Sequence, residues 1–98
     1  MSYSEAPASE HADRVAGGAQ LVDVREPNEV AAASLPDSIF IPLGELPERI
    51  GELDPNRPVA LLCRSGGRSG KASEFLVANG FTDVTNLTGG MMSLGLQD

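Results

Sequence analysis

The sequence predicts a small α/β domain, a mainly parallel β-sheet flanked by helices on both faces. Three observations lead there. Short aliphatic runs alternate with stretches of helical pattern, the order that builds strand–helix–strand units. One run, Val59-Ala60-Leu61-Leu62, is apolar at every position, as a strand covered on both faces must be. The chain has 98 residues, enough for one core and too few for two, so residues 1–98 are expected to form a single domain.

The elements follow in order. Pro7 to Val15 reads as a first helix, with Pro7 in the first turn, where proline is tolerated, and Gly17-Gly18 ending it. Ala19 to Val24 reads as a strand, and Pro27 opens a short helix to about Ala33. Ile39-Phe40-Ile41 is a second strand, Leu43 to Leu53 is helical in pattern, and Asp54-Pro55-Asn56 is a turn. The Val59–Leu62 strand comes next. From Ser69 to Asn79, Ala72, Phe75 and Leu76 fall at helix-face spacing, and Gly80 sits in the usual C-terminal place. Val84 to Leu87 is a further strand, broken by Gly89-Gly90.

Composition narrows the partners. The net charge of −7 argues against nucleic acid or an anionic membrane surface, since both require a basic face. No apolar run approaches the roughly 20 residues that span a bilayer. The first residues lack the basic start and apolar segment of a secretion signal, so the expected location is cytoplasmic. Against this acidic background, three of the seven basic residues, Arg64, Arg68 and Lys71, fall within eight positions.

That cluster surrounds the single cysteine. One cysteine forbids an intrachain disulfide and leaves a two-cysteine zinc site without its second sulfur. It is therefore either small apolar filling or a reactive thiol. Cys63 directly follows the apolar strand, and reactive groups in parallel sheets gather at the carboxyl ends of strands. The six residues after it, Arg64-Ser65-Gly66-Gly67-Arg68-Ser69, are polar or glycine, which is poor packing material. The glycines let the backbone turn tightly and aim its N–H groups at one point, and the helix beginning near Ser69 adds its positive end. Such a cradle acidifies a thiol. An unperturbed cysteine is about 3% thiolate at pH 7, and a downward shift of about two units makes it mostly thiolate, the form a nucleophile needs.

The stretch Cys63-Arg64-Ser65-Gly66-Gly67-Arg68-Ser69 resembles the active-site loop of the rhodanese family of sulfurtransferases. Leu21-Val22-Asp23-Val24-Arg25-Glu26-Pro27-Asn28-Glu29 resembles that family's first sheet motif, and Thr88-Gly89-Gly90-Met91 its closing Gly-Gly turn. The resemblance runs from about Pro7 to Leu94, in the family's order. It implies that Cys63 accepts a sulfane sulfur and becomes a persulfide. It also implies that Arg64 and Arg68 attract a small anionic donor such as thiosulfate, and that the amides of Arg64, Ser65, Gly66, Gly67, Arg68 and Ser69 hold the outer sulfur. An outside acceptor (cyanide, a thiol or a partner protein) must then remove it, because the chain has no second cysteine. The resemblance requires no metal and no organic cofactor.

Two other readings start from the same loop. Cysteine-dependent phosphatases place an arginine six positions after the cysteine, whereas Arg68 is five positions after Cys63, a tighter loop sized for sulfur. A binding or regulatory module that kept the fold and lost activity usually lacks the cysteine, which is present here. Among the remaining residues, Asp23, Arg25 and Glu29 are expected to tie the first strand-to-helix turn together rather than to line the site. Ser65 and Ser69 are placed to donate to sulfur, and Ser69 equally suits the cap of the following helix. Lys71 is expected to be solvated, His11 to be a surface residue, and Met91 and Met92 to fill core. Two departures from the family pattern are visible. Ala33-Ser34-Leu35-Pro36-Asp37-Ser38 replaces a Gly-His-Ile-x-Gly-Ala segment, and Leu94 stands where an aromatic residue is usual.

Overall fold

Five strands run parallel in one sheet, in the order β1-β5-β4-β2-β3, in a computed structural model that describes residues 2–97. The strands are β1 (Ser4–Pro7), β2 (Gln20–Asp23), β3 (Ser38–Phe40), β4 (Val59–Leu62) and β5 (Val84–Thr88). The helices are α1 (His11–Ala16), α2 (Pro27–Ala32), α3 (Leu46–Arg49), α4 (Gly67–Ala78) and α5 (Gly90–Ser93). The α/β class and the parallel sheet match the expectation from sequence.

Alternate residues of the central strands feed two cores, as the two-residue period of a strand requires. Val22, Leu61 and Val84 point to a cluster completed by Ala72, Leu76 and Val77 of α4 and by Leu46 of α3. Leu21, Ala60, Leu62 and Leu87 point the other way, against Ala8, Leu35 and Met91. The helices therefore cover both faces. Each fully buried Leu or Val contributes about 1.5–3 kcal/mol by removal from water, so two thin layers around one sheet suffice for a chain of this size.

Three elements differ from the sequence reading. Ser4–Pro7, expected to lead into a helix, is instead an edge strand paired with β5, and a 3₁₀ turn at Ala8–Glu10 follows it. Only Ala6 of β1 is buried, so the segment carries almost no local pattern. Its pairing is decided by the neighbouring strand, and an edge tolerates the terminal proline. The helix expected over Leu43–Leu53 is broken into a 3₁₀ turn (Leu43–Glu45), one turn of α3 and another 3₁₀ turn (Ile50–Glu52). Pro47 and the flanking Gly44 and Gly51 explain the interruption, since proline removes a donor and glycine costs backbone entropy. Finally, α4 begins at Gly67, two residues before the expected start.

The connectivity positions the site. From β2 the chain moves outward to β3, whereas from β4 it moves the opposite way to β5. The crevice beyond the carboxyl ends of β2 and β4 is thus a topological switch point, the place where parallel sheets hold ligands. Asp23 is registered with Leu62 at those ends. Beyond them, Val24 N donates to Leu62 O (2.9 Å), the last bond before the strands part.

Candidate active site

Cys63 lies at the base of that crevice and is 1% exposed. Its sulfur accepts the Gly66 amide at 3.0 Å and lies 3.3 Å from Ser69 Oγ. Gly66 caps α4 with φ +114, a left-handed conformation that turns its N–H back onto the sulfur and that glycine alone adopts without cost. Burial pushes the thiol up. Hydrogen bonding with the Ser69 hydroxyl and with the backbone of Ser69, Gly66 and Ser65 outweighs it, so the net direction is down. The first turn of α4 thus supplies donors whose positive ends converge where a sulfur anion forms.

Behind the loop, α5 fixes its position. Met91 N donates to Cys63 O (3.0 Å) and Met92 N to Arg64 O (2.9 Å). Gly90, at φ +53, lies so near that an added Cβ would overlap Cys63 O and sit 2.5 Å from Arg64 O. A bare backbone is therefore a steric requirement at Gly90.

Charges are organised in one network across the switch point. Arg25, fully buried, holds Asp23 through Nε to Oδ1 (3.0 Å) and Nη2 to Oδ2 (2.7 Å). It also donates to Ala33 O (2.7 Å) and to Gln97 Oε1 (3.1 Å). Gln97 in turn donates to Glu29 Oε2 at 2.8 Å. Glu29 receives both arms of Arg68, Nη1 to Oε1 at 2.6 Å and Nη2 to Oε2 at 2.9 Å. Hydrogen bonds from the Arg68 side chain hold the Glu29 carboxyl at about 2, well below its ordinary value, against an opposing push from burial.

Residues 7–95 match the family of rhodanese-like domains. The chain belongs to this family. It is 41% identical over 83 residues to rhodanese-like/PpiC domain-containing protein 12 of Arabidopsis thaliana, covering 81% of this chain and 28% of that protein. It is 37% identical over 73 residues to thiosulfate sulfurtransferase GlpE of Pseudomonas syringae, covering 74% of this chain and 69% of that protein. A rhodanese-like domain protein from Staphylococcus aureus superposes with a TM-score of 0.82 at 31% identity, covering 91% of this chain and 88% of that one. The chain thus spans just over a quarter of one relative and about two thirds of another.

Within this rhodanese-like domain, the structure brings Cys63, Ser65, Gly66 and Ser69 together around the sulfur. Ser69 does not cap α4, the alternative its sequence position allowed. It lies inside the first turn, fully buried, and its hydroxyl is directed to Cys63 and Asn86. Gly66 holds the cap position. Arg68 is committed to Glu29 rather than opening toward a ligand. Asp23 and Arg25 form the buried pair expected of them, and Lys71 is exposed. Met91 is core, but Met92 is 44% exposed, because the next residue of a helix is turned away from the face its neighbour buries.

Sequence reasoning passed over two residues. Asn86, 3% exposed in the interior of β5, carried a signal: an amide in the middle of a buried strand must have polar partners. Gln97 carried none, since a glutamine near a chain end is ordinary. A hollow of about 350 Å³ lined by Ser2, Tyr3, Glu74, Val77 and Ala78 lies elsewhere. The chemistry of the cysteine loop, not cavity size, marks the site.

Proposed function

We propose that this domain is a sulfurtransferase that carries sulfur on Cys63. The observation that carries the proposal is a single thiol whose sulfur accepts the Gly66 amide at the start of α4, where backbone donors converge and favour its anion. The family and the thiosulfate sulfurtransferase name of one relative support the same reading. In the first half-reaction the Cys63 thiolate attacks the outer sulfur of thiosulfate. The sulfur–sulfur bond of the donor breaks, sulfite leaves with its electron pair, and a Cys63 persulfide forms whose charge rests on the outer sulfur. In the second, a thiophilic acceptor (cyanide, a thiol or a partner protein) attacks that sulfur and the thiolate returns. Loop amides from Arg64 to Ser69 stabilise the anion in both halves, being already oriented. Arg64 draws the donor in, and Arg68 contributes as half of an ion pair rather than as a lone cation. The position six after the cysteine, where a phosphatase places its arginine, holds Ser69, which favours sulfur over phosphate. Among the described residues no helix is long and apolar enough to cross a membrane, and the setting proposed for the reaction is the cytoplasm.

Intact-mass measurement after incubation with thiosulfate tests the proposal. The native chain should gain one sulfur atom that cyanide removes, and Cys63→Ser should gain none. No gain with thiosulfate or polysulfide would leave a binding module as the better description.

A further inference from the structure

Ser69 has one hydroxyl proton and two neighbours that want it. Its oxygen is 2.5 Å from Asn86 Oδ1 and 3.3 Å from Cys63 Sγ. The orientation of the Asn86 amide is set by chemistry: its Nδ2 donates to Gly66 O at 3.2 Å and faces Glu5 Oε2 at 3.5 Å, both acceptors only. Oδ1 therefore turns to Ser69 and, being a carbonyl oxygen, can only accept. While the Ser69 proton serves Asn86, the hydroxyl has only lone pairs to offer sulfur. That arrangement suits a neutral thiol, whose S–H then donates to Oγ. It opposes a thiolate, which needs the same proton itself.

We infer that Asn86 is a positioning residue that holds the Ser69 proton away from sulfur, so that Cys63 ionises only as that hydroxyl swings round and leaves Asn86 Oδ1 without its donor. Asn86 thus restrains the nucleophile, while its own amide hydrogens anchor the loop at Gly66 O. The balance is one short neutral hydrogen bond set against one bond to an anion. With the thiol neutral all three buried atoms are satisfied, and with the thiolate Asn86 Oδ1 gives up its donor. The inference rests on reading Cys63 as the nucleophile, but its test reads thiol ionisation and not sulfur transfer, so the two fail separately.

The charged and titratable groups around the pair come from the cysteine loop, from α4, from α2 and β1, and from the residue before each of these last two. Arg64 follows Cys63 on the loop, Arg68 of α4 lies near enough to interact with the sulfur's charge, and Glu29 of α2, with Glu26 just before that helix, faces Arg68. Glu5 of β1 stands beyond the Asn86 amide, and the Tyr3 hydroxyl lies near Gly70. The residues of α5 add no charge. Carboxylate and guanidinium groups ordinarily titrate outside the range from about pH 5 to 9, so a transition there reports the thiol.

The experiment is the pH dependence of iodoacetamide alkylation in the native protein, Asn86→Leu, Ser69→Ala and the double variant. Asn86→Leu frees the Ser69 proton for sulfur, and the midpoint should fall by about half to one pH unit, the worth of one net hydrogen bond. In the Ser69→Ala background the same replacement should leave the midpoint unmoved. A merely structural Asn86 gives the opposite sign, since loosening the Gly66 anchor weakens the amide donors and raises the midpoint. An unchanged or raised midpoint in Asn86→Leu overturns the inference, and so does a fall that persists without the Ser69 hydroxyl. Should Asn86→Leu not fold, the native protein answers by NMR. The Asn86 side-chain carbonyl carbon should titrate with the Cys63 thiol, and a resonance that stays constant through that titration, or moves equally in Ser69→Ala, refutes it.

Discussion

Glu29→Gln isolates the ion pair that joins the two sides of the crevice. In the folded chain the Glu29 carboxyl is lowered from 4.5 to about 2. A group depressed on folding contributes stability that is fully present above its unfolded value, near pH 4.5, and that disappears as pH falls through the folded value near 2. At about 1.36 kcal/mol per unit, the shift sets a ceiling of about 3 kcal/mol. The Glu29 side chain is 14% exposed and that of Arg68 is 32% exposed. Solvent screens a pair so placed, and about 1–2 kcal/mol is the working figure. The introduced amide keeps a carbonyl for one arm of Arg68 and loses the charge. Urea titrations of both proteins at several pH values between about 7 and 2 are the assay. The native chain should lose more stability than Glu29→Gln between about pH 5 and 2, and the difference at pH 7 should be about 1–2 kcal/mol. Parallel curves over that range would refute the reasoning. The same substitution leaves the Arg68 charge uncompensated and one of its arms free, so the KM for thiosulfate should fall at low salt, an effect that added salt erases.

Two further substitutions probe the frame around the sulfur. Gly90→Ala forces a Cβ into the Cys63 and Arg64 carbonyls at a positive φ. It should cost about 2–4 kcal/mol in urea denaturation and reduce persulfide loading, whereas Gly51→Ala, with nothing within 4 Å, should change stability by less than about 0.5 kcal/mol. Asp23→Asn leaves the Arg25 charge buried without its counter-ion and should cost about 3–5 kcal/mol. The double change Asp23→Leu with Arg25→Met should recover part of that loss in the same measurement, and a double variant no more stable than the single one would contradict the assignment.

Much of the fold was legible because its signals are local. Val59–Leu62 announced a central strand by being apolar throughout, and Pro27 marked the start of α2. The polar, glycine-rich stretch after Cys63 could not pack as core and so pointed to chemistry. The first strand was not legible. Ser4–Pro7 buries one residue and forms because β5, far along the sequence, offers an unpaired edge.

The sequence by itself determined the class of the sheet, the place of Cys63 at a strand end and the identity of the residues that surround it. Those follow from period, composition and spacing, which are properties of neighbours along the chain. Only the tertiary structure decided who holds whom. It paired Arg68 with Glu29 across the crevice, tied both to Arg25 through Gln97, and set Asn86 in competition with Cys63 for one Ser69 proton. Hydrogen bonds and ion pairs act over about 3 Å, and at that range the partners come from the turn after β2, from α2, the cysteine loop, α4, β5 and the C-terminal segment, which only folding brings together.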